Sequence, residues 1–518
     1  SAAASSSTYT FDGSGLVLTK GTTKVLALKC NVAAGASGPY YWGLSSASSF
    51  SATGLTSGQS LTPTASASDG QKMTLASAGS YTVTDDSTPG YRIVNATQAG
   101  VVLTRLKFAA LDEDVDVRQI RFQLTGTASN TPLDLYGQIV TLYDEATPTV
   151  ALGTAQFGSG GTVGADMATT TLASGTFVIP KGSSKTLLVK GDINAITASG
   201  PLSASGDFLK VNYDGTLNGS SGGGNYGVGQ SSGTEISPGS ADTAVQGVRI
   251  MRGYPVFAKC TGSGSGCDAV PTNVLTVKSG MSLYRFKVTA VGNDVRIAKL
   301  TFQVSSTTGA GLTDTSSTAT TTKYSVYAYT DSSFSQADTT FSSNGLLNAT
   351  QCYVNGLDTE GRPVTNTTGL AAANSQIMIY PDAAGTACGS AATAHSTTTY
   401  KVPFGTTRYF DFQADVASVE SVTGTQSFAV SLLGDAAFGS GQTDGDAGQG
   451  EMGRGVQGIA SQNGKSTVDD DTSNNDFIWS PSSTSSSFSI NNFDFTNGYQ
   501  VPGIPTTNMP TETFTSPN

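Results

Sequence analysis

The chain has 518 residues, of which 37% are hydrophobic and 13% charged, with a formal net charge of −11. The length fits roughly three or four domains of about 150 residues. With no basic stripe and no run of Lys or Arg, the counterion release that drives nucleic-acid binding is missing, and no stretch approaches 18 continuous apolar residues, which excludes a membrane-spanning helix.

A chain that opens on Ser1 without Met or an apolar leader reads as a mature secreted protein. Its first element is a hairpin, "LTKGTTKVLALKCNV" (18–32), in which a polar turn at Gly21 precedes alternating apolar residues. In a strand, Leu26, Leu28 and Val32 share one side, with Ala27, Lys29 and Asn31 on the other. Tyr40, Tyr41 and Trp42 follow. Such rings stack on sugars when exposed and fill a core when buried.

The opening stretch recurs as "IPKGSSKTLLVKGDI" from Ile179 and "VPFGTTRYFDFQADV" from Val402. Leu26, Leu28 and Val32 correspond to Leu187, Val189 and Ile193, then to Phe410, Phe412 and Val416. Gly21, Gly182 and Gly405 mark the turn, where a positive φ costs glycine little. Cys30 aligns with Gly191 and Ala414, a position for a small buried residue. We call this repeat the back motif. A front motif also recurs, ungapped, as "LTRLKFAALDEDVDVRQIRFQL" (103–124) and "LYRFKVTAVGNDVRIAKLTFQV" (283–304). "GYRIV" (90–94) and "GVRIM" (247–251) precede the two front motifs as a repeated linker strand.

Internal repeats of this kind set the domain organisation. The spacing predicts a partial N-terminal β-sandwich module (1–98), two full modules (99–246 and 247–440), then a Gly/Asp-rich linker and an extended C-terminal strand or tail (441–518). Many short alternating strands, Gly/Ser/Thr turns and almost no helical periodicity give an all-β class, with tandem Ig-like β-sandwiches. The Ig signature of Cys, Trp and Cys is absent, so the label concerns architecture and leaves strand order open.

Catalytic chemistry finds little footing, and no catalytic residue is predicted. A Ser/His/Asp triad would have to use His395, the one histidine. "GSSGG" (219–223) and "GQSSG" (229–233) fit the nucleophile-elbow pattern in letters but lack its strand–turn–helix context. "NGKST" (463–467) has the wrong glycine spacing for a phosphate loop, and clustered loop acids do not establish a glycosidase pair. Zinc has no four-ligand spacing. Calcium, which takes loop carboxylates, is the one cofactor with candidates: Asp112 and Asp114; Asp444 and Asp446; Asp469 and Asp471. Only Asp114 has an acidic counterpart in the repeat, Asp294.

Two disulfides are expected, Cys260 with Cys267 around "TGSGSG" and Cys352 with Cys388 across a Gly/Ala/Ser-rich insertion, which places the chain in an oxidising compartment. Four sequons, at Asn95, Asn218, Asn348 and Asn366, are candidate glycosylation sites.

The module pattern "EDVDVRQIRFQLTG", "LYDEATPTVALGTAQF" and "FVIPKGSSKTLLVKGDI", with the ending "DFIWSPSST…FTNGYQVPGIP", resembles large secreted surface proteins of candidate-phylum, ultrasmall bacteria. The resemblance implies Ig-like cell-surface modules with a structural role, and it brings no catalytic residues. The expected function is a self-assembling extracellular structural protein, forming a surface layer or filament as a homopolymer. Its joint is β-strand addition: the tail strand with Phe488, Ile490, Phe493 and Phe495 completes the N-terminal face of Leu26, Leu28 and Val32 in a neighbour. Such a heterologous contact propagates as a fibre or lattice. The alternative is a cell-surface adhesin or module that binds surface glycans.

Overall fold

The computed structural model describes residues 10–11, 15–29, 38–41, 43, 50–64, 70–75, 79–124, 131–158, 166–196, 206–306, 324–348, 352–357, 363–364, 374–382, 398–416, 427–435, 476–482, 496–505 and 508–516. Among these residues there is no α-helix; two short 3-10 turns, Pro132–Asp134 and Ser263–Ser265, interrupt an all-β chain.

Each front motif forms two long strands that enter different sheets. In the first sandwich these are Val101–Leu111 and Val115–Leu124. One sheet runs Ala151–Gln156, Leu135–Asp144, Ser184–Ile193, Val101–Leu111, Ser80–Asp85, with every pair antiparallel. The other is built on Val115–Leu124, with Met167–Thr171 and Val178–Ile179 along one side and Val211–Tyr213 and Tyr226–Gly229 along the other. Leu106, Phe108, Val117, Phe122, Leu187 and Val189 meet in the core between the sheets.

The second sandwich repeats the plan. Tyr254–Lys259, Lys278–Val291, Thr407–Val416 and Tyr324–Tyr329 form one sheet in that order. Val295–Ser306 organises the other, pairing with Asn374–Ile379, Tyr400–Val402 and Ser427–Leu432. Its core is aromatic: Phe302 stacks on Phe412 with ring centroids 4.0 Å apart, and Phe286 stacks on Phe410 at 4.9 Å. Stacked and tilted pairs of this kind add to the burial of their large apolar area.

The two linker strands meet each other. Arg92–Asn95 lies parallel to Val248–Met251, with Arg249 opposite Ile93, and Phe208–Leu209 flanks the pair. Alternation along a strand sends neighbouring side chains to opposite faces. Ile93 and Met251 accordingly join the second core, while Val94, Val248 and Ile250 join the first.

Two stretches sit elsewhere than the sequence reading places them. Ser80–Asp85, expected within an N-terminal partial module, is the edge strand of the first sandwich. Among the described residues ahead of it there are two small ladders, Gly38–Tyr40 with Met73–Leu75 and Ala52–Thr53 with Ser60–Leu61. Within the C-terminal stretch, expected as an extended tail, the described residues 476–482, 496–505 and 508–516 carry strands that belong to the second sandwich of their own chain. Ile478–Ser480 pairs with Val295–Ser306, Thr496–Asn497 pairs with Ile478–Ser480, and Glu512–Thr515 pairs with Ser427–Leu432. Trp479 and Phe514 are fully buried there, which holds their two strands against the sandwich.

Candidate assembly interface

Front and back strands join by the same lock in both sandwiches. The back-motif turn closes with Ser183 N–H donating to Pro180 O at 3.0 Å, and with Thr406 N–H donating to Pro403 O at 3.1 Å. The turn glycines have positive φ, +67° at Gly182 and +70° at Gly405, as their place in the turn predicts. Gly182 N–H then donates to Ala110 O at 3.0 Å and Ala110 N–H donates to Ser183 O at 3.1 Å; Gly405, Ala290 and Thr406 repeat this at 3.1 and 3.2 Å. A carboxylate completes the lock: Asp114 Oδ1 accepts from Lys181 N–H at 2.7 Å, and Asp294 Oδ1 accepts from Phe404 N–H at 2.8 Å.

The strand register matches as well. Leu187 lies opposite Leu106 and Leu188 opposite Arg105; Phe410 lies opposite Phe286 and Asp411 opposite Arg285. Both ladders then skip one front-strand residue, Leu103 in the first sandwich and Leu283 in the second, so each front strand carries a bulge at the same repeat position. The positions that face the core are buried, and Leu187, Val189, Phe410 and Phe412 retain no exposure.

The first back-motif copy keeps the turn without the strand partner. Thr22 N–H donates to Thr19 O at 3.0 Å, Thr22 Oγ1 donates to the same oxygen at 2.7 Å, and Gly21 has φ +78°. Thr406 Oγ1 makes the matching bond to Pro403 O at 2.7 Å. Yet residues 15–29 join no ladder among the described residues. Leu26 is 61% exposed, Leu28 75% and Val25 93%. Val32 and Cys30 lie outside the described residues, as do Phe488, Ile490, Phe493 and Phe495.

The acidic cluster at 112–116 reads differently in three dimensions. Asp114 is the turn cap just described. Glu113 Oε1 accepts from Gly79 N–H at 2.6 Å, and Glu113 Oε2 accepts from Ser231 and Ser232 N–H, each at 2.9 Å. Burial pushes the Glu113 carboxyl up, but these donors together hold it below its ordinary value. Asp116 Oδ2 accepts from Gly175 N–H at 2.9 Å. Asp112 is exposed and has φ +73°; its repeat counterpart Gly292 has φ +82°, so the position serves a left-handed corner between sheets. Asp112 and Asp114 are therefore parts of a corner and a cap. Among the described residues no group of three or more His, Cys, Asp or Glu could hold a metal ion. Asp444, Asp446, Asp469 and Asp471 lie outside the described residues.

The remaining site residues divide as follows. Cys260 and Cys267 form the expected disulfide. Cys352 begins the strand Cys352–Leu357, while Cys388, Asn366 and His395 lie outside the described residues. Asn218 is exposed, and its Nδ2 donates to Gly215 O at 3.1 Å. Asn348 is not: it is fully buried, its Oδ1 accepts from Val326 N–H at 2.9 Å and its Nδ2 donates to Tyr324 O at 2.9 Å, so a glycan has no room there. Asn95 ends a linker strand and crowds Gly292, where an added Cβ would approach its side-chain amide to within 2.5 Å. Ser231, the central serine of one elbow match, is tied through its N–H to Glu113. Tyr41 is 52% exposed, and Trp42 lies outside the described residues.

The lock itself was not foreseen, although its signal is in the sequence. Ala110 and Asp114, four residues apart, recur as Ala290 and Asp294 at the corner between the two strands of each front motif.

No protein-family model matches the chain, and no curated protein matches it. Solved structures give weak likenesses. A structure of manganese lipoxygenase of Gaeumannomyces graminis with part of zonadhesin of Komagataella pastoris is 9% identical, over 68% of this chain and 88% of that one, with a TM-score of 0.13. A tip adhesin from Pseudomonas aeruginosa is 11% identical over 68% and 94%, with a TM-score of 0.17. A backbone pilin of serotype M6 Streptococcus pyogenes is 10% identical over 69% and 58%, also at 0.17. At such values these likenesses carry no argument, and the functional reading rests on the geometry of the chain itself.

Proposed function

We propose that the chain is a self-assembling structural subunit of an extracellular surface layer or filament, built of Ig-like modules and not an enzyme, whose subunits join by β-strand addition. One observation carries the reading: residues 15–29 keep the back-motif turn but leave Leu26 and Leu28 exposed, where the same positions in both later copies are fully buried. Covering each leucine is worth roughly 1.5–3 kcal/mol. The disulfide between Cys260 and Cys267 supports an oxidising, extracellular setting. The described C-terminal strands are occupied within their own sandwich, so the N-terminal segment becomes the added strand of the joint.

Negative-stain microscopy of the purified chain, with and without calcium, tests this. Ordered filaments or sheets are expected, and a variant carrying Leu26→Glu and Leu28→Glu should lack them. Assemblies indifferent to that double substitution would overturn the proposed joint.

A second reading has one observation in its favour, the half-exposed Tyr41 beside the short strand Gly38–Tyr40. It makes the chain a glycan-binding surface module. Glycan-array binding by a chain that stays monomeric would favour it.

A further inference from the structure

We infer that the strand which covers residues 18–29 is an uncovered front-type strand of another subunit, ending in Ala-x-x-x-Asp and docking in the register seen twice within this chain. This rests on the reading of residues 18–29 as an assembly strand.

The two sandwiches act as templates for the third copy. Each of their back motifs is covered by one kind of strand, through one set of bonds. The turn glycine N–H and the carbonyl of the residue just before the back strand exchange bonds with an alanine, as Gly182 and Ser183 do with Ala110 and as Gly405 and Thr406 do with Ala290. An aspartate four residues past that alanine caps the preceding N–H, as Asp114 does for Lys181 and Asp294 for Phe404. The register is the same down to the skipped residue at Leu103 and Leu283.

The first copy has every part of its half. Its turn bond at 3.0 Å and its φ of +78° at Gly21 match the docked turns, so little reordering of the turn accompanies binding. By the repeat, Gly21 N–H meets the alanine carbonyl, Lys20 N–H meets the aspartate, and Leu26 lies opposite the residue that stands where Leu106 and Phe286 stand. Ala27 then lies opposite the arginine position of Arg105 and Arg285.

Both front strands of a folded copy are already covered by their own back strands. In a homopolymer, a front strand therefore becomes available when a neighbour's back strand peels away, as in domain swapping, and the released back strand offers the next joint. A subunit that presents a front strand uncovered binds without that step.

The test uses the full chain and a labelled synthetic peptide of residues 99–116, read by fluorescence anisotropy and by hydrogen exchange. Saturable binding is expected, with new protection at the amides of residues 23–29. Gly21→Val in the chain places a β-branched residue at positive φ and should weaken binding about tenfold, as should an Asp114→Ala change in the peptide. Leu26→Glu should weaken it further. These chain positions are exposed before binding, so melting of the unbound variants should not change. A peptide that does not bind, or that binds equally to the Gly21→Val chain, overturns the inference, as does capture of the segment by phosphatidylcholine vesicles in place of the peptide. The assembly reading fails separately: peptide binding by a chain that never polymerises overturns self-assembly and leaves the strand assignment standing. Filaments that form unchanged from a chain unable to bind the peptide do the opposite.

Discussion

Asp114 and Asp294 show what one repeated carboxylate does at the scale of a residue. Each sits just past the corner where the chain passes from one sheet to the other, and each accepts a backbone N–H from a turn that closes on the first sheet. Partial burial pushes Asp294 up, but the ammonium of Lys401, 2.5 Å away, and the Phe404 N–H hold its carboxyl below the ordinary value. Both caps are at or near the surface, so Asp114→Ala and Asp294→Ala should each cost about 1 kcal/mol. Thermal melts of the two variants should show that loss equally with calcium and with a chelator. A loss at Asp114 that appears in calcium alone would return it to the metal ligands. Asp338 gives the matching pH prediction. Burial pushes it up, but Thr340, Tyr400 and Arg408 all donate to it and bring it down to about 2, from an ordinary 3.8. A depressed carboxyl adds stability that is fully present above 3.8 and is lost as pH falls through about 2. Acid titration of stability should show a loss of about 1–2 kcal/mol in that window, and Asp338→Asn should flatten it.

At the scale of elements, the described residues of the C-terminal segment include three short strands, and one buried side chain ties two of them down. Asp435 is fully buried and accepts from Asp476 N–H at 2.6 Å, Phe477 N–H at 3.1 Å and Gly498 N–H at 2.5 Å. Further on, Phe257 N–H donates to Pro502 O at 2.8 Å, and Gly503, at φ +88°, lies so close that a Cβ would overlap the Phe257 carbonyl. Asp435→Ala strands three buried N–H groups and should cost about 3 kcal/mol or more. Denaturation followed by the fluorescence of Trp479, which is fully buried beside this clamp, reads that loss. An unchanged midpoint would mean the segment is dispensable to the sandwich. The sequence pattern reached some of these elements and not others. Turn glycines, strand faces and the small residue at Gly191 were legible, because each repeats at a fixed offset and each has a local cause. At Gly191 an added Cβ would come within 2.5 Å of Leu135. The bulge was also written there, as a step of three between the buried Leu103 and Leu106 where alternation asks for two. The segment with Glu512–Thr515 was not legible. It has one buried apolar residue, Phe514, among polar neighbours, and its partner strand Ser427–Leu432 is far away in sequence. The caps escaped notice because a cluster of acids reads alike as a metal site or as a set of loop acceptors until its donors are known.

For the whole molecule, the linker sheet matters more than either sandwich taken singly. Its alternate residues feed both cores, Ile93 into the second and Val94 into the first, so the repeats are joined by shared packing and not by a bare tether. Two sandwiches packed through a shared sheet, with an exposed apolar segment at residues 18–29, suit the proposed ordered array. Charge works against the proposed assembly. Each chain carries a formal −11, so at neutral pH two copies would repel as the proposed joint formed. Salt screens such repulsion, the Debye length falling from about 30 Å at 0.01 M to about 3 Å at 1 M, whereas the apolar contact of Leu26 and Leu28 does not weaken with salt. Light scattering of the purified chain should therefore show a shorter lag and faster growth as salt is raised. Lowering the pH toward the isoelectric point near 4.6 should act in the same direction, since it removes the net charge itself. The Leu26→Glu and Leu28→Glu double variant should stay flat at every salt concentration, because screening removes the repulsion between subunits without restoring an apolar face. Growth that slows as salt rises would place the joint on ion pairs, and the strand at residues 18–29 would lose its role.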